Sequence, residues 1–332
     1  MADIVAKLSD GPGGTAGGAL DRLRGLREAA QDLVEASKAP NTLRAYRSDW
    51  RHFAGWCSEQ GLQAMPAVPE TVALYLAAMA GAGAKAVTIQ RRLSSISQAH
   101  QAAGHVPSPT SDFLVRQVMR GIRRTLGVAP KHQKNPLTAT ELRRLVETAP
   151  PGTIAGRRDR ALLLIGHLGA FRRSELVALD VPDVQDASDG LRLLVRRSKT
   201  DQEGEGLEKG IRRRRDSAVC PVHALRAWLD AAGIVDGPVF RSVNRHDQLQ
   251  AGRLSDRGVA LVVKRACDRA GLDPARYAGH SLRSGFATSA AEGGAPERAI
   301  MRQGGWTSHT MVRRYIRMAD LFQENAADYV GL

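Results

Sequence analysis

The sequence predicts a multidomain α+β protein: an all-helical N-terminal domain, then a mainly helical domain that carries a small antiparallel sheet. Three observations carry this reading. Up to about residue 125, apolar residues recur at three- and four-residue intervals with no strand-like alternation. Residues 126–137 are aperiodic and contain Pro and Lys, as a linker does. Beyond them, Leu191 to Val195 reads as a strand, enters the polar loop Ser198 to Gly206, and returns as Ile211 to Arg215.

In chain order, residues 1–18 end in a glycine-rich run that has little to bury and reads as a flexible tail. Leu20, Leu23, Leu26, Ala30, Leu33 and Val34 then mark an amphipathic helix, so residues 1–38 precede the first domain, and Pro40 breaks that helix. The first domain spans 39–125. Asn41 or Thr42 caps its first helix, whose stripe of Leu43, Tyr46, Trp50, Phe53 and Trp56 reads as core rather than as a base-stacking platform. Pro69 opens a second helix, Thr88 to His100 makes a third with Gln90, Arg91 and Arg92 outward, and residues 111–124 make a fourth. After the linker, residues 138–332 form the second domain. Thr138 or Thr140 caps its first helix. Further helices fall at Arg157–His167, 222–232, 256–270 (Ser255 as N-cap), 281–292 and 296–303, and Ser308 or Thr310 caps the last.

Charge narrows the partner. With 48 Lys+Arg against 34 Asp+Glu, the chain of 332 residues carries +14, which implies a polyanion, most simply nucleic acid. The outward-facing arginines of the helical half (Arg44, Arg47, Arg91, Arg92, Arg120, Arg123, Arg124) are the candidates for phosphate contact, with Arg212 and Arg213 in the second half. No apolar run approaches the roughly 18 residues that would span a bilayer, and no signal-peptide core opens the chain. The expectation is no membrane partner and a reducing, nucleoid-associated cytoplasmic setting. The three cysteines, Cys57, Cys220 and Cys267, are scattered, and Cys220-Pro221-Val222-His223 has no second ligand pair, so no metal and no cofactor is expected.

Chemistry concentrates near the end. His280 and Arg283 lie three apart on one helical face, and Trp306 and Tyr315 follow, so a base, a permanent cation, an N–H donor and a nucleophile fall within 36 residues. Arg172 and Glu175 repeat the three-residue spacing, either as an exposed ion pair or as an arginine aimed at a phosphate by its carboxylate. Lys199 reads either as a solvated turn lysine or as a proton donor, with Lys209 across the hairpin as a second candidate acid.

Taken together, the boxes Gly169-Ala170-Phe171-Arg172-Arg173-Ser174-Glu175-Leu176, Ser198-Lys199-Thr200, His280-Ser281-Leu282-Arg283 and Gly304-Gly305-Trp306, with Tyr315 nine residues on, resemble the tyrosine recombinase (phage integrase) family. The Trp306 variant looks most like the Cre recombinase branch. The resemblance covers about 41–332. It implies that 39–125 is a core-binding domain, that 138–332 is the catalytic domain with a C-terminal docking tail, and that the partner is double-stranded DNA carrying a specific recombination site. It further implies a homotetramer when synapsed, passing through a Holliday junction, without metal or ATP. By resemblance Tyr315 is the nucleophile, Arg172 and Arg283 hold the phosphate, Glu175 supports Arg172, His280 and Trp306 hydrogen-bond the phosphate, and Lys199 protonates the leaving oxygen. Type IB topoisomerases and telomere resolvases share this chemistry, and a non-catalytic DNA-binding protein is the alternative from another class. The helical first domain and the intact set of boxes favour a recombinase.

Overall fold

A computed structural model describes residues 16–128, 134–198, 201 and 204–319. The chain divides into two compact units, Met1–Lys131 and His132–Leu332. Among the described residues no helix is long and apolar enough to cross a membrane.

The described residues of the first unit form helices and no strand: α1 (Ala16–Ala36), α2 (Pro40–Glu59), α3 (Pro69–Gly81), α4 (Ala86–Ala102) and α5 (Phe113–Leu126). Helix α1 leaves Leu23, Leu26, Leu33 and Val34 exposed. Pro40 begins α2 rather than only ending what precedes it, with Ala39 as N-cap in place of the expected Asn41 or Thr42. Proline suits that position, because its missing N–H would be unpaired there anyway. Of the expected stripe, Phe53 is fully buried and Trp50 and Trp56 pack against the same core, while Leu43 and Tyr46 stay partly exposed; Tyr75 of α3 meets Phe53 edge-on at 5.0 Å and lies 5.3 Å from Trp56. Each fully buried side chain here contributes roughly 1.5–3 kcal/mol through burial.

One outward expectation fails. Arg92 turns inward, donating to Tyr75 Oη at 3.2 Å and lying 3.6 Å from Asp49. Asp49 is buried, and a buried carboxylate needs a cation beside it. Arg91 pairs with the same carboxylate at 3.1 Å from a more exposed position.

The second unit builds on α6 (Ala139–Glu147), α7 (Ile154–Leu168) and α8 (Arg173–Ala178), then the strands β1 (Val184–Ala187), β2 (Gly190–Val195) and β3 (Leu207–Arg212). It continues through α9 (Pro221–Ala232), the hairpin β4 (Arg241–Val243) and β5 (Leu249–Arg253), α10 (Asp256–Arg269), α11 (His280–Glu292), α12 (Glu297–Gly304) and α13 (His309–Ala319). Strands β1-β2-β3 form one antiparallel sheet, with Leu191 opposite Ile211 and Leu193 opposite Lys209. The returning strand therefore starts four residues earlier than the sequence predicts. Asp201 explains this: its carboxylate accepts from the N–H groups of Gly204, Glu205 and Gly206 and closes the turn before Leu207.

The apolar run Ala161 to Ile165 of α7 is wholly buried at the centre of the main core, packed with α9, α10 and the sheet. A smaller cluster of Ala287, Ala291, Ile300, Val312 and Tyr315 joins α11, α12 and α13. Of the predicted linker, residues 129–133 lie outside the described residues. Its far end is bound into this unit, since Asn135 and Leu137 N–H donate to the carbonyls of Arg276 and Ser281 at 2.8 and 2.9 Å. Thr138 then caps α6 in a reciprocal box with Glu141.

Gly285 marks where Leu137 meets α11. A Cβ there would stand 1.8 Å from the Leu137 carbonyl oxygen. Backbone cannot yield as a side-chain tip can, so Gly285→Ala is expected to destabilise this unit by about 1–3 kcal/mol. A clearly lowered thermal midpoint is the expected reading, and an unchanged midpoint would refute this account of the contact.

Candidate active site

The turn after α7 presents the first cation. Gly169, Ala170 and Phe171 donate their N–H groups back to Ile165, His167 and Gly166, and Ala170 takes a left-handed φ of 47°. Arg172 follows as the N-cap of α8, and Glu175 sits at the third position of that helix. The pair expected on one helical face is thus a cap: Glu175 accepts both the Arg172 backbone N–H at 3.0 Å and its guanidinium Nη1 at 2.5 Å. With Glu175 buried and Arg172 20% exposed, the carboxylate is spent on aiming the guanidinium.

Arg283 is the second cation, and it is only 1% exposed. Its Nη1 donates to the Ala170 carbonyl at 2.6 Å, its guanidinium lies 4.0 Å over the Trp306 ring, and its buried Nη2 has no hydrogen-bond partner. Burial, then Arg172, lowers its pKa to about 10, which leaves it charged at neutral pH. A buried guanidinium with an unused donor and a cationic neighbour calls for an anion.

His280 heads α11 one turn before Arg283 and keeps access to solvent. Partial enclosure, then Arg283, Arg172 and Arg173, push its pKa below the usual value, so the ring is neutral at pH 7. Trp306 is delivered by the end of α12, where Gly305 adopts φ 63° and the Trp306 N–H donates to the Met301 carbonyl. The indole folds back over Gly304, where any Cβ would stand 1.8 Å from the ring. Tyr315, on α13, is 6% exposed with its ring 6.0 Å from Trp306. Burial raises its pKa while Arg283 and Arg314 oppose that rise.

The structure therefore brings Arg172, Glu175, His280, Arg283, Trp306 and Tyr315 into one region. Lys199 lies outside the described residues, as do the tail 1–15 and the C-terminal residues 320–332. Lys209 is 1% exposed and donates inward to the Gly169 and Gln303 carbonyls. Tyr277, the next candidate nucleophile, donates to Glu141 Oε1 at 2.6 Å, and burial together with that carboxylate pushes its pKa up to about 12. It is a structural hydroxyl.

Sequence reasoning missed two parts of the site. The Ala170 carbonyl that holds Arg283 leaves no side-chain signal. The burial of Lys209 was readable in the alternation Leu207, Lys209, Ile211, had the strand been started at Leu207.

The arginines proposed for DNA are dispersed. In the first unit Arg120 and Arg123 line a groove of about 440 Å³ between α4 and α5, joined by Arg116, which the sequence reading had not singled out. Arg123 donates to Gln90 at 2.8 Å, Arg44 to Asn41 at 3.0 Å, and Arg124 is exposed. Arg47 also lies on the exposed side of α2. In the second unit Arg212 and Arg213 are exposed at the rim of a groove of about 640 Å³ whose floor includes Phe286 and Ile300.

Comparison with known proteins agrees with this geometry. Residues 135–321 match the phage integrase family, and residues 31–105 match the phage integrase N-terminal SAM-like domain. Over 299 residues the chain is 42% identical to the integrase/recombinase xerD homolog of Selenomonas ruminantium, covering 90% of this chain and 87% of that protein. It is 28% identical over 317 residues to the recombinase cre of Escherichia phage P1, covering 89% and 90%. Among solved structures it resembles lambda integrase(75-356) in a dimer bound to a COC' core site, with a TM-score of 0.56 at 19% identity over 88% of this chain and 93% of that one. At that identity the likeness is one of fold.

Proposed function

The chain belongs to the phage integrase family and is a site-specific tyrosine recombinase, and on that premise we propose how its own residues break and rejoin DNA. Tyr315 Oη attacks the scissile phosphorus. The new P–O bond to tyrosine forms as the bond to the 5′-oxygen breaks, leaving a 3′-phosphotyrosine and a 5′-hydroxyl. Neutral His280 takes the tyrosine proton, and Lys199 gives one to the departing 5′-oxygen. Arg172 and Arg283 bind the two non-bridging oxygens and Trp306 adds its N–H, so charge building at phosphorus meets fixed donors. Attack by another 5′-hydroxyl runs the same steps backwards, and the phosphotyrosine conserves the bond energy, so no nucleotide is consumed.

The observation that carries this reading is Arg283: a buried guanidinium, stacked on Trp306, holding an unpaired donor beside Tyr315 and Arg172. The helical unit serves as the core-binding domain and the second unit as the catalytic domain, with Arg44, Arg47, Arg91, Arg120, Arg123, Arg124, Arg212 and Arg213 contacting the DNA backbone. Two recombination sites, each holding two protomers, bring four protomers together, one pair of strands is exchanged at a time, and a Holliday junction lies between the exchanges. The DNA is that of the cytoplasmic nucleoid.

The test is a duplex nicked near the scissile phosphate, so that cleavage traps protein on DNA in a denaturing gel. A covalent adduct is expected, and it is expected to form at the same rate with EDTA present, because two arginines hold the charge that a divalent ion would otherwise neutralise. A non-catalytic DNA-binding protein would shift the DNA and leave no adduct. Abolition of cleavage by EDTA at constant ionic strength, with binding intact, would overturn the two-arginine mechanism.

A further inference from the structure

Lys209 belongs to none of the roles above, yet it is among the most deeply buried side chains of the protein. It points inward from β3, on the same face as Ile211 and opposite Leu193. Its Nζ donates to the Gly169 carbonyl at 2.8 Å and to the Gln303 carbonyl at 2.7 Å, and lies 4.9 Å from the centre of the Phe171 ring. Gly169 is the C-cap of α7 and Gln303 is the penultimate residue of α12. The ammonium therefore sits where the carbonyl ends of two helices converge, at the negative pole of both.

Both contacts lead directly to the phosphate-binding groups. Gly169 opens the turn whose next carbonyl, that of Ala170, holds Arg283, and which ends at Arg172. Gln303 lies three residues before Trp306, whose ring covers Arg283. The Gln303 side chain repeats the junction, donating to the Leu168 and Gly210 carbonyls at 2.9 and 3.0 Å. A methionine would fill the same space without the penalty of desolvating an ammonium.

We propose that Lys209 is a positioning residue of the recombinase: its ammonium ties the Arg172 turn to the Trp306 helix and so fixes the spacing of Arg172, Arg283 and Trp306 around the scissile phosphate. The proposal rests on the recombinase reading. It differs from a proton-donor role, since the ammonium is buried and directed onto two backbone carbonyls.

The charged groups facing Lys209 are Glu175 and Arg172 on α8 and Arg283 on α11. Burial is the largest influence and brings its pKa down to about 7. It is cationic below that pH and neutral above it. An anionic phosphate at the two arginines draws the value up, so the tie weakens somewhat above pH 7 in the complex.

The experiment compares the wild-type chain with Lys209→Met on the nicked duplex, with either oxygen or a 5′-bridging sulfur at the scissile phosphate. Thermal unfolding and a gel shift are run alongside. Lys209→Met is expected to bind DNA within about twofold, because affinity is set by many phosphate contacts. It is expected to cleave at least about tenfold more slowly, since small misplacements in such sites are costly. The loss should be the same on both substrates. Recovery on the sulfur substrate would make Lys209 a proton donor, and cleavage within twofold of wild type would make it structural filler. Either result overturns the proposal.

A readout on the unaltered protein covers the case in which the variant does not fold. On the sulfur substrate no proton donor is needed, so a titration of Lys199 is silent. Burial and the neighbouring arginines lower the His280 pKa, burial raises that of Tyr315, and Arg283 stays charged up to about pH 10. The wild-type rate should fall between pH 7 and 9 to a lower plateau, by no more than the loss seen in Lys209→Met, and a profile without such a fall overturns the proposal. Failure of wild type to form any adduct would instead sink the recombinase reading itself.

Discussion

Tyr315→Phe is expected to bind its DNA site as the wild-type chain does and to form no covalent adduct at all. The ring is part of the small core with Ala287, Ala291, Ile300 and Val312, and phenylalanine keeps that packing, so the fold should survive. What is lost is one oxygen, which contributes little to an affinity built from many phosphate contacts. Neither Tyr75 nor Tyr277 offers a substitute. Tyr75 is buried within the first unit, and Tyr277 has given its hydroxyl to Glu141 with its pKa near 12, so its phenolate is out of reach at neutral pH. Gel shift and denaturing gel on the same nicked duplex give the two readouts. Adduct at a wild-type level in the Phe variant would move the nucleophile elsewhere and with it the meaning of the whole site.

The second large effect belongs to Lys199→Ala. The 5′-oxygen leaves as an alkoxide unless a proton is donated, and the conjugate acid of such a leaving group is about as weak as water, with a pKa near 15.7. Cleavage of ordinary DNA should therefore slow by about 10²–10⁴-fold. A thiolate leaves unaided, because its parent thiol has a pKa of about 8.5. A 5′-bridging sulfur should accordingly restore most of the lost rate to Lys199→Ala. Arg172→Ala should gain nothing from it, since that variant lacks positive charge at phosphorus rather than a proton. No rescue of Lys199→Ala would take this lysine out of the proton transfer.

The helices and the local pairs were legible in the sequence because their signals are short-range. Phe53, Leu76, Ile89 and Ile96 fall on the apolar faces of their helices and are buried in the structure. Arg172 with Glu175, and His280 with Arg283, are each three residues apart, and that spacing alone puts them within reach. The polar strands were not legible. Val184–Ala187 exposes most of its residues and Leu249–Arg253 exposes nearly all of its own, so neither carries an alternating pattern. Long-range pairing was equally silent. Nothing near Arg92 in the chain announces that Asp49 will be buried beside it, and nothing near Lys209 announces two helix ends from 40 and 94 residues away. The resemblance to the Cre branch rested on Trp306 and the text around it, Ile300 to Thr307; the chain is 28% identical to the recombinase cre and 42% identical to the xerD homolog.

The two cores of the second unit differ greatly in size, and that difference sets an order of release. The cations are anchored to the large one: the turn bearing Arg172 continues from α7, whose buried run Ala161 to Ile165 lies at its centre. Tyr315 is anchored to the small one, in which only Ile300 and Val312 accompany it as large buried aliphatic side chains and the rest are alanines. Less apolar area removed from water means a lower free energy of local opening. The proposed nucleophile, and with it the Trp306 ring, is therefore expected to lie on the portion that lets go first, while Arg172 stays seated on the larger core.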